Sequence, residues 1–216
     1  MSVKTISAAG SALMLSLMTC TAAGAGPAIL YDNLSSPVTG GDPAAEFPTG
    51  LGPLFASFSN LSGARTLTEL ELNLSSTNPG DGDMFTVSVY NDFNTRPNAL
   101  LWSTTANDSI LSMNPTVEDF FTNVALNADS RYWVGVSSVA GSAIFSSASI
   151  FTGIGVADEF YINANGEVPN NPFGPYVMRV VATPEPSTWA LMLVGFAGLA
   201  YAGYRRAKAG HATRAA

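Results

Sequence analysis

The sequence predicts an all-β body over residues 26–183, two antiparallel sheets packed as a jelly-roll-like sandwich. Three observations predict it. Apolar and polar residues alternate with a period of two in one short segment after another. Gly, Pro, Asn and Asp separate those segments. No stretch between Pro27 and Thr183 repeats with the period of a helix. The ends add a leader, residues 1–25, expected to be cleaved, and a C-terminal segment, residues 184–216, carrying a single transmembrane helix.

The strands are expected in this order. "AILYDNL" (28–34) opens the body. The Gly- and Pro-rich residues 35–53 read as a long loop, and "LFASFSN" (54–60) follows. In "TELELNL" (68–74), Leu70, Leu72 and Leu74 share one face, and Glu69, Glu71 and Asn73 the other. "NPGDGD" (78–83) is a turn, after which "MFTVSVYND" (84–92) sets Phe85, Val87 and Val89 on one face. Then come "ALLWST" (99–104), "VEDFFTNV" (117–124), "RYWVGVSSV" (131–139), "SAIFSS" (142–147), "EFYINA" (159–164) and "YVMRVVA" (176–182). About ten strands at this spacing suit a two-sheet sandwich.

The two ends read as addresses. Lys4 precedes an apolar run, Ile6 to Met18, too short to span a membrane comfortably, and "TAAGAG" follows. That is the pattern of a secretory signal peptide, with cleavage expected before Gly26 or, nearly as well, after Ala23. A competing reading makes Leu17–Cys20 a lipoprotein box, which Met18 and Thr19 fit poorly. At the other end, residues 188–204 carry no charge. Their length, about 25 Å as a helix, is near the lower limit for a membrane span. Trp189, Tyr201 and Tyr204 suit the two interfaces, and Arg205, Arg206 and Lys208 form a basic stop that places the tail in the cytoplasm and the body outside.

Charge and composition exclude several functions. The 216-residue chain has a net charge of −7. Between residues 26 and 183, 15 Asp and Glu face four Arg and no Lys, a net −11. Such a body repels phosphates, so no nucleic-acid partner is expected. The sole cysteine, Cys20, lies in the leader, so the body can form neither a disulfide nor a thiolate metal site. The sole histidine, His211, lies in the tail. That removes Ser-His-Asp and Cys-His catalysis and any His-based zinc site from the body. Without Lys there is no Schiff-base chemistry. The pairs Glu118-Asp119 and Asp158-Glu159 are strand neighbours that point to opposite faces. A glycoside hydrolase would need carboxylates from distant segments. Asp81-Gly82-Asp83 falls short of a full calcium loop and reads as a turn. No enzyme activity and no cofactor are expected. Trp102, at the end of its segment, is the candidate for stacking on a sugar ring, as an alternative carbohydrate-binding function. Trp133, in an apolar strand, reads as core, and Tyr132, Tyr161 and Phe173 are weaker stacking candidates. Asn33, Asn60, Asn73 and Asn107 each begin an Asn-x-Ser sequon.

Two resemblances add to this. Pro184-Glu185-Pro186, a short apolar helix and then Arg205-Arg206 resemble the PEP-CTERM sorting signal of Gram-negative bacteria. The extension after the arginines is longer than usual. The resemblance implies recognition by an exosortase, a membrane-embedded thiol protease-transpeptidase, with a cut near Pro184–Pro186. The body would pass from a transient membrane anchor, in the periplasm, to the cell surface or matrix, in association with exopolysaccharide and biofilm. Physically, the two prolines keep Thr183–Ser187 extended, and a protease needs that stretch unpaired. In the body, "FTVSVYNDFNTRPNALLWS" (85–103), "LNADSRYWVGVSS" (126–138) and "FGPYVMRVVA" (173–182) resemble the choice-of-anchor R domain. That likeness implies an all-β extracellular domain and carries over no site residues.

Overall fold

The computed structural model describes residues 26–46, 48–139, 141–157, 159–163, 166–169, 175–185 and 194–204. The leader, Phe173, Pro186 and the basic stop lie outside them. Residues Ala25–Ser187 form one compact unit, and the helix 194–204 belongs to another.

Among the described residues twelve strands form, all paired antiparallel. They are β1 (Ala28–Asp32), β2 (Val38–Pro43), β3 (Leu54–Asn60), β4 (Arg65–Ser76), β5 (Met84–Asp92), β6 (Pro97–Asn107), β7 (Thr116–Leu126), β8 (Ser130–Ser138), β9 (Ala143–Ala148), β10 (Phe160–Asn163), β11 (Gly166–Pro169) and β12 (Met178–Pro184). The first sheet runs β1-β12-β4-β9-β2, with β7 on the other side of β4. The second runs β11-β10-β3-β8-β5-β6. The arrangement is that of a sandwich, and each expected strand is present. Two strands were not expected. β2 lies in the stretch read as a loop, because "VTGGDP" carries turn residues. It survives as an exposed edge strand on β9. Gly41 permits the contact, since a Cβ there would sit 2.6 Å from Ile144 Cγ2 and 2.9 Å from the Phe145 carbonyl oxygen. β11 is a four-residue partner of β10, too short to show a period.

The core lies between the sheets. Leu70, Leu72 and Leu74 of β4 are fully buried, as the alternation requires, and Leu67 joins them across a register shift between Leu67 and Glu69. Leu54, Ala56 and Phe58 of β3, Phe85, Val87 and Val89 of β5, and Val134 and Val136 of β8 are buried in the same cluster. Phe85 meets Phe120 of β7 edge-on at 6.3 Å, joining the two sheets. Tyr31 of β1 and Tyr161 of β10 join them again through a 2.9 Å bond between their hydroxyls. Burial, the largest cause, pushes both phenol pKa values up, so both stay neutral.

β12 is inserted between β1 and β4. Ala28 pairs with Ala182, so the first and last strands of the sandwich lie side by side. Asn33, fully buried, fastens the junction. Its Nδ2 donates to the Tyr176 carbonyl at 3.0 Å and its Oδ1 accepts from Met178 N at 2.8 Å. On the outer face Arg179 of β12 reaches Asp32 of β1 and Glu71 of β4, both at 2.9 Å. The bond to Asp32 is the main cause that raises the arginine's pKa. All three side chains are partly exposed, so this triad fixes register more than it stabilises.

Leu72→Ala is expected to lower unfolding stability by about 2–5 kcal/mol, because a fully buried leucine leaves a cavity. Thr105→Ala, on an exposed stretch of β6, should change it by no more than about 0.5 kcal/mol. Urea denaturation of the two variants checks the contrast.

Candidate functional site

Two regions carry functional side chains. The first is a cleft at one end of the second sheet. The sequence "RYWVGV" alternates, so β8 sends Tyr132, Val134 and Val136 into the inter-sheet core and Trp133 to the opposite face. Trp133 is nonetheless fully buried. Its ring lies 6.5 Å from Phe160, and its Nε1 donates to Asp92 Oδ1 at 2.7 Å. The Arg131 guanidinium sits 4.5 Å over the Phe160 ring. Beside them Phe55 and Tyr90 meet edge-on at 5.6 Å, and their rings close over Gly135, where a Cβ would come within 2.9 Å of Phe55 and 3.1 Å of Tyr90. This outer face therefore has a small aromatic core of its own.

Glu159 is tied into it. It is buried, accepts a bond from the Ser57 hydroxyl and pairs with Arg131 Nε at 3.3 Å. Burial pushes its pKa above the ordinary glutamate value, opposed by bonds from Ser57 and Ser59 and by Arg131.

Next to this cluster Asn91, Asp92, Asn127, Asp129, Ser130, Arg131 and Tyr132 line a polar cleft of about 330 Å³. The turns at its rim are strained. The non-glycine residues with positive φ among those described are Asn94 and Thr95, in the β5–β6 turn, and Asp129, before β8. Amide, carboxylate and guanidinium groups surround the cleft, while the Tyr132 hydroxyl accepts from Asn127 N at 2.7 Å. Asp92 and Asp129 both border it. Asp92, however, spends one oxygen on Trp133 and the other on Thr95 N at 3.3 Å.

The residues singled out from sequence are distributed unevenly. Trp102 falls in the middle of β6, not at a strand end. It pairs with the buried Val89 and packs partly buried against the core. Tyr132 and Tyr161 are buried in the core cluster. Glu118 lies opposite Leu72 and Asp119 opposite Glu71, on opposite faces as expected. Asp81 shapes a turn: its Oδ1 accepts from Asp83 N at 3.1 Å, the chief cause lowering its pKa, and its Oδ2 accepts from Asn78 Nδ2 at 3.0 Å. Among the described residues no group of three or more His, Cys, Asp or Glu is arranged to hold a metal ion. Three of the four sequon asparagines, Asn33, Asn60 and Asn73, are buried.

The second region is the end of β12. The chain was expected to be extended and unpaired from Thr183 on. It is extended but not unpaired: Thr183 pairs with Thr66 and Pro184 with Arg65, and Glu185 N donates to the Ala64 carbonyl at 3.3 Å. Pro184 is tolerated because the other neighbour, β1, has already ended opposite Ala182. Residues 194–204 form a helix. At about 1.5 Å per residue it measures roughly 16 Å, half a membrane's hydrocarbon thickness. Residues 188–193 of the expected span lie outside the described residues. Among the described residues no helix is long and apolar enough to cross a membrane.

Residues 182–206 match the PEP-CTERM protein-sorting motif. The motif indicates a surface protein sorted by an exosortase, with export and a transient membrane anchor. It overlaps the sandwich by the last residues of β12. None of the curated proteins compared matches the chain.

The raised Glu159 pKa has a definite sign. A carboxyl that holds its proton more tightly when folded lends stability that is full below its unfolded value, near 4.5. That stability is lost as pH rises through the higher folded value. Relative to Glu159→Gln, the wild-type protein should therefore lose stability as pH rises from about 4.5. Parallel melting curves over pH 4–8 would show this, and a pH-independent difference would count against it.

Proposed function

We propose that the chain is a non-enzymatic, exported β-sandwich protein delivered by an exosortase to the cell surface or matrix, in association with exopolysaccharide and biofilm. The observation that carries this reading is the match to the sorting motif at residues 182–206, where the last strand of a compact sandwich ends. The leader directs export. Residues 188–204 hold the body at the membrane, and Arg205, Arg206 and Lys208 stop transfer. Exosortase is the processing partner. The all-β body agrees with the jelly-roll-like, choice-of-anchor R type of domain that it resembles. In cells with an active exosortase the mature protein should lose both the leader and the C-terminal helix. Intact-mass measurement checks this, and a helix retained in such cells would remove the processing step.

One observation favours a second activity for the body. The polar cleft of Asn91, Asp92, Asn127, Asp129, Ser130, Arg131 and Tyr132 suits binding of a matrix polysaccharide. Binding is favoured over hydrolysis because both oxygens of Asp92 serve the scaffold. Trp102, partly buried against the core, does not line this cleft. Asp129→Gly removes a carboxylate from the cleft and relieves a positive φ. It should weaken binding on a glycan array that includes the host's own polysaccharide, while leaving stability unchanged or higher by about 1 kcal/mol. Unchanged binding would exclude the cleft as the site.

A further inference from the structure

We infer that the folded sandwich sets a limit on where the chain can be severed: the sorting protease cuts on the C-terminal side of Glu185. The inference rests on the exosortase reading above and adds the position of the cut to it.

The observations are the pairings of β12. Every residue from Met178 to Pro184 has a partner on β4, from Leu72 back to Arg65. On the opposite side Ala182 to Arg179 pair with β1. β12 is thus an interior strand from Arg179 to Ala182, and beyond Ala182 only β4 flanks it. Met178, Val180 and Ala182 are fully buried beneath it. The pairing does not stop at the strand's formal end, because Glu185 N still donates to the Ala64 carbonyl. Arg65, which faces Pro184, is held in turn by Leu126 of β7 across the strand and by bonds from its guanidinium to Ser62.

A protease takes its substrate as an extended chain and pairs with the backbone on both sides of the scissile bond. Such a chain must have free backbone groups over several residues. To present the Thr183–Pro184 or Pro184–Glu185 bond, the chain would have to surrender its pairs with Thr66 and Arg65. Freeing the several residues that precede either bond, as a protease requires, would also draw Ala182 and Val180 out of the core. Edge strands fray at little cost, but an interior strand with buried side chains opens only with much of the domain. The first two residues of the tripeptide Pro184-Glu185-Pro186 therefore belong to the body. The body keeps them.

The net chemistry is one acyl transfer. An amide bond beyond Glu185 breaks, its carbonyl passes to water or to an acceptor amine, and its nitrogen leaves as the new amino terminus of the released tail. β12 stays intact, so the first sheet loses nothing when the membrane anchor is removed.

The test uses the full chain in cells with an active exosortase, with the C-terminus of the mature body read by intact mass and peptide mapping. Every mature species should retain Thr183, Pro184 and Glu185. The folded chain, digested with a broad-specificity protease, should likewise yield a limit body that ends at or after Glu185. A mature body ending at Pro184 or earlier would overturn the inference while leaving exosortase sorting intact. A limit digest trimmed into β12 would overturn it as well. A tail left uncut in those cells would remove the sorting reading and this inference with it.

Discussion

The sandwich depends on one strand arriving last. β12 fills the place between β1 and β4, sharing one edge of β4 with β9, which pairs only with Leu74–Ser76. Without it β1 and residues Arg65–Leu72 of β4 would lose their pairing along that side, an arrangement prone to aberrant pairing. With it, Asn33 and Arg179 lock three strands in register, the first by buried hydrogen bonds and the second by charge on the outer face. The core then closes through contacts between distant parts of the chain, such as Phe145 stacked on Tyr176 at 4.6 Å. A fold whose decisive contacts join its two ends forms slowly and cooperatively.

The second sheet is built differently. Its inner face joins the common core, but its outer face is also packed, around Trp133. That ring costs nothing in unsatisfied groups because its nitrogen reaches Asp92, and Asp92 in turn holds the β5–β6 turn through Thr95. The strained turn, the buried indole and the polar cleft are one connected construction. Rigidity of this kind suits a binding surface, since groups already fixed lose little freedom when a ligand arrives.

Much of the fold was legible because the alternation was strong. "TELELNL" and "MFTVSVYND" leave only one way to face a core, and both obey it. β2 was not legible: its glycines and proline resemble a turn, and the reason for Gly41, a close approach to Ile144, comes from a distant strand. The outer-face cluster was legible in part. Alternation along "RYWVGV" opposes Trp133 to Val134, but the alternation does not say that Phe160, Arg131 and Asp92 come from elsewhere to bury the ring. Trp102 shows the converse. It stood near the end of an apolar run, yet β6 extends to Asn107, so the residue became a mid-strand side chain facing Val89. The cleft depends on turns brought together by the second sheet, and no local pattern announces it. The sorting motif was legible because it is read as sequence, by composition and order.

Motif and fold are consecutive in the chain and share residues. Translation delivers β12 and the Pro-Glu-Pro stretch together, so the sandwich cannot close before the sorting signal has begun to emerge. A chain that stops short of β12 lacks both its closing strand and its address. Export and folding are then coupled in a simple way. The body with no cysteine has no disulfide to hold a partial fold, and stability must come from the sheet that β12 completes. Pro184 marks the transition: it ends the last strand, where its missing N–H is harmless, and begins the segment by which the protein is recognised.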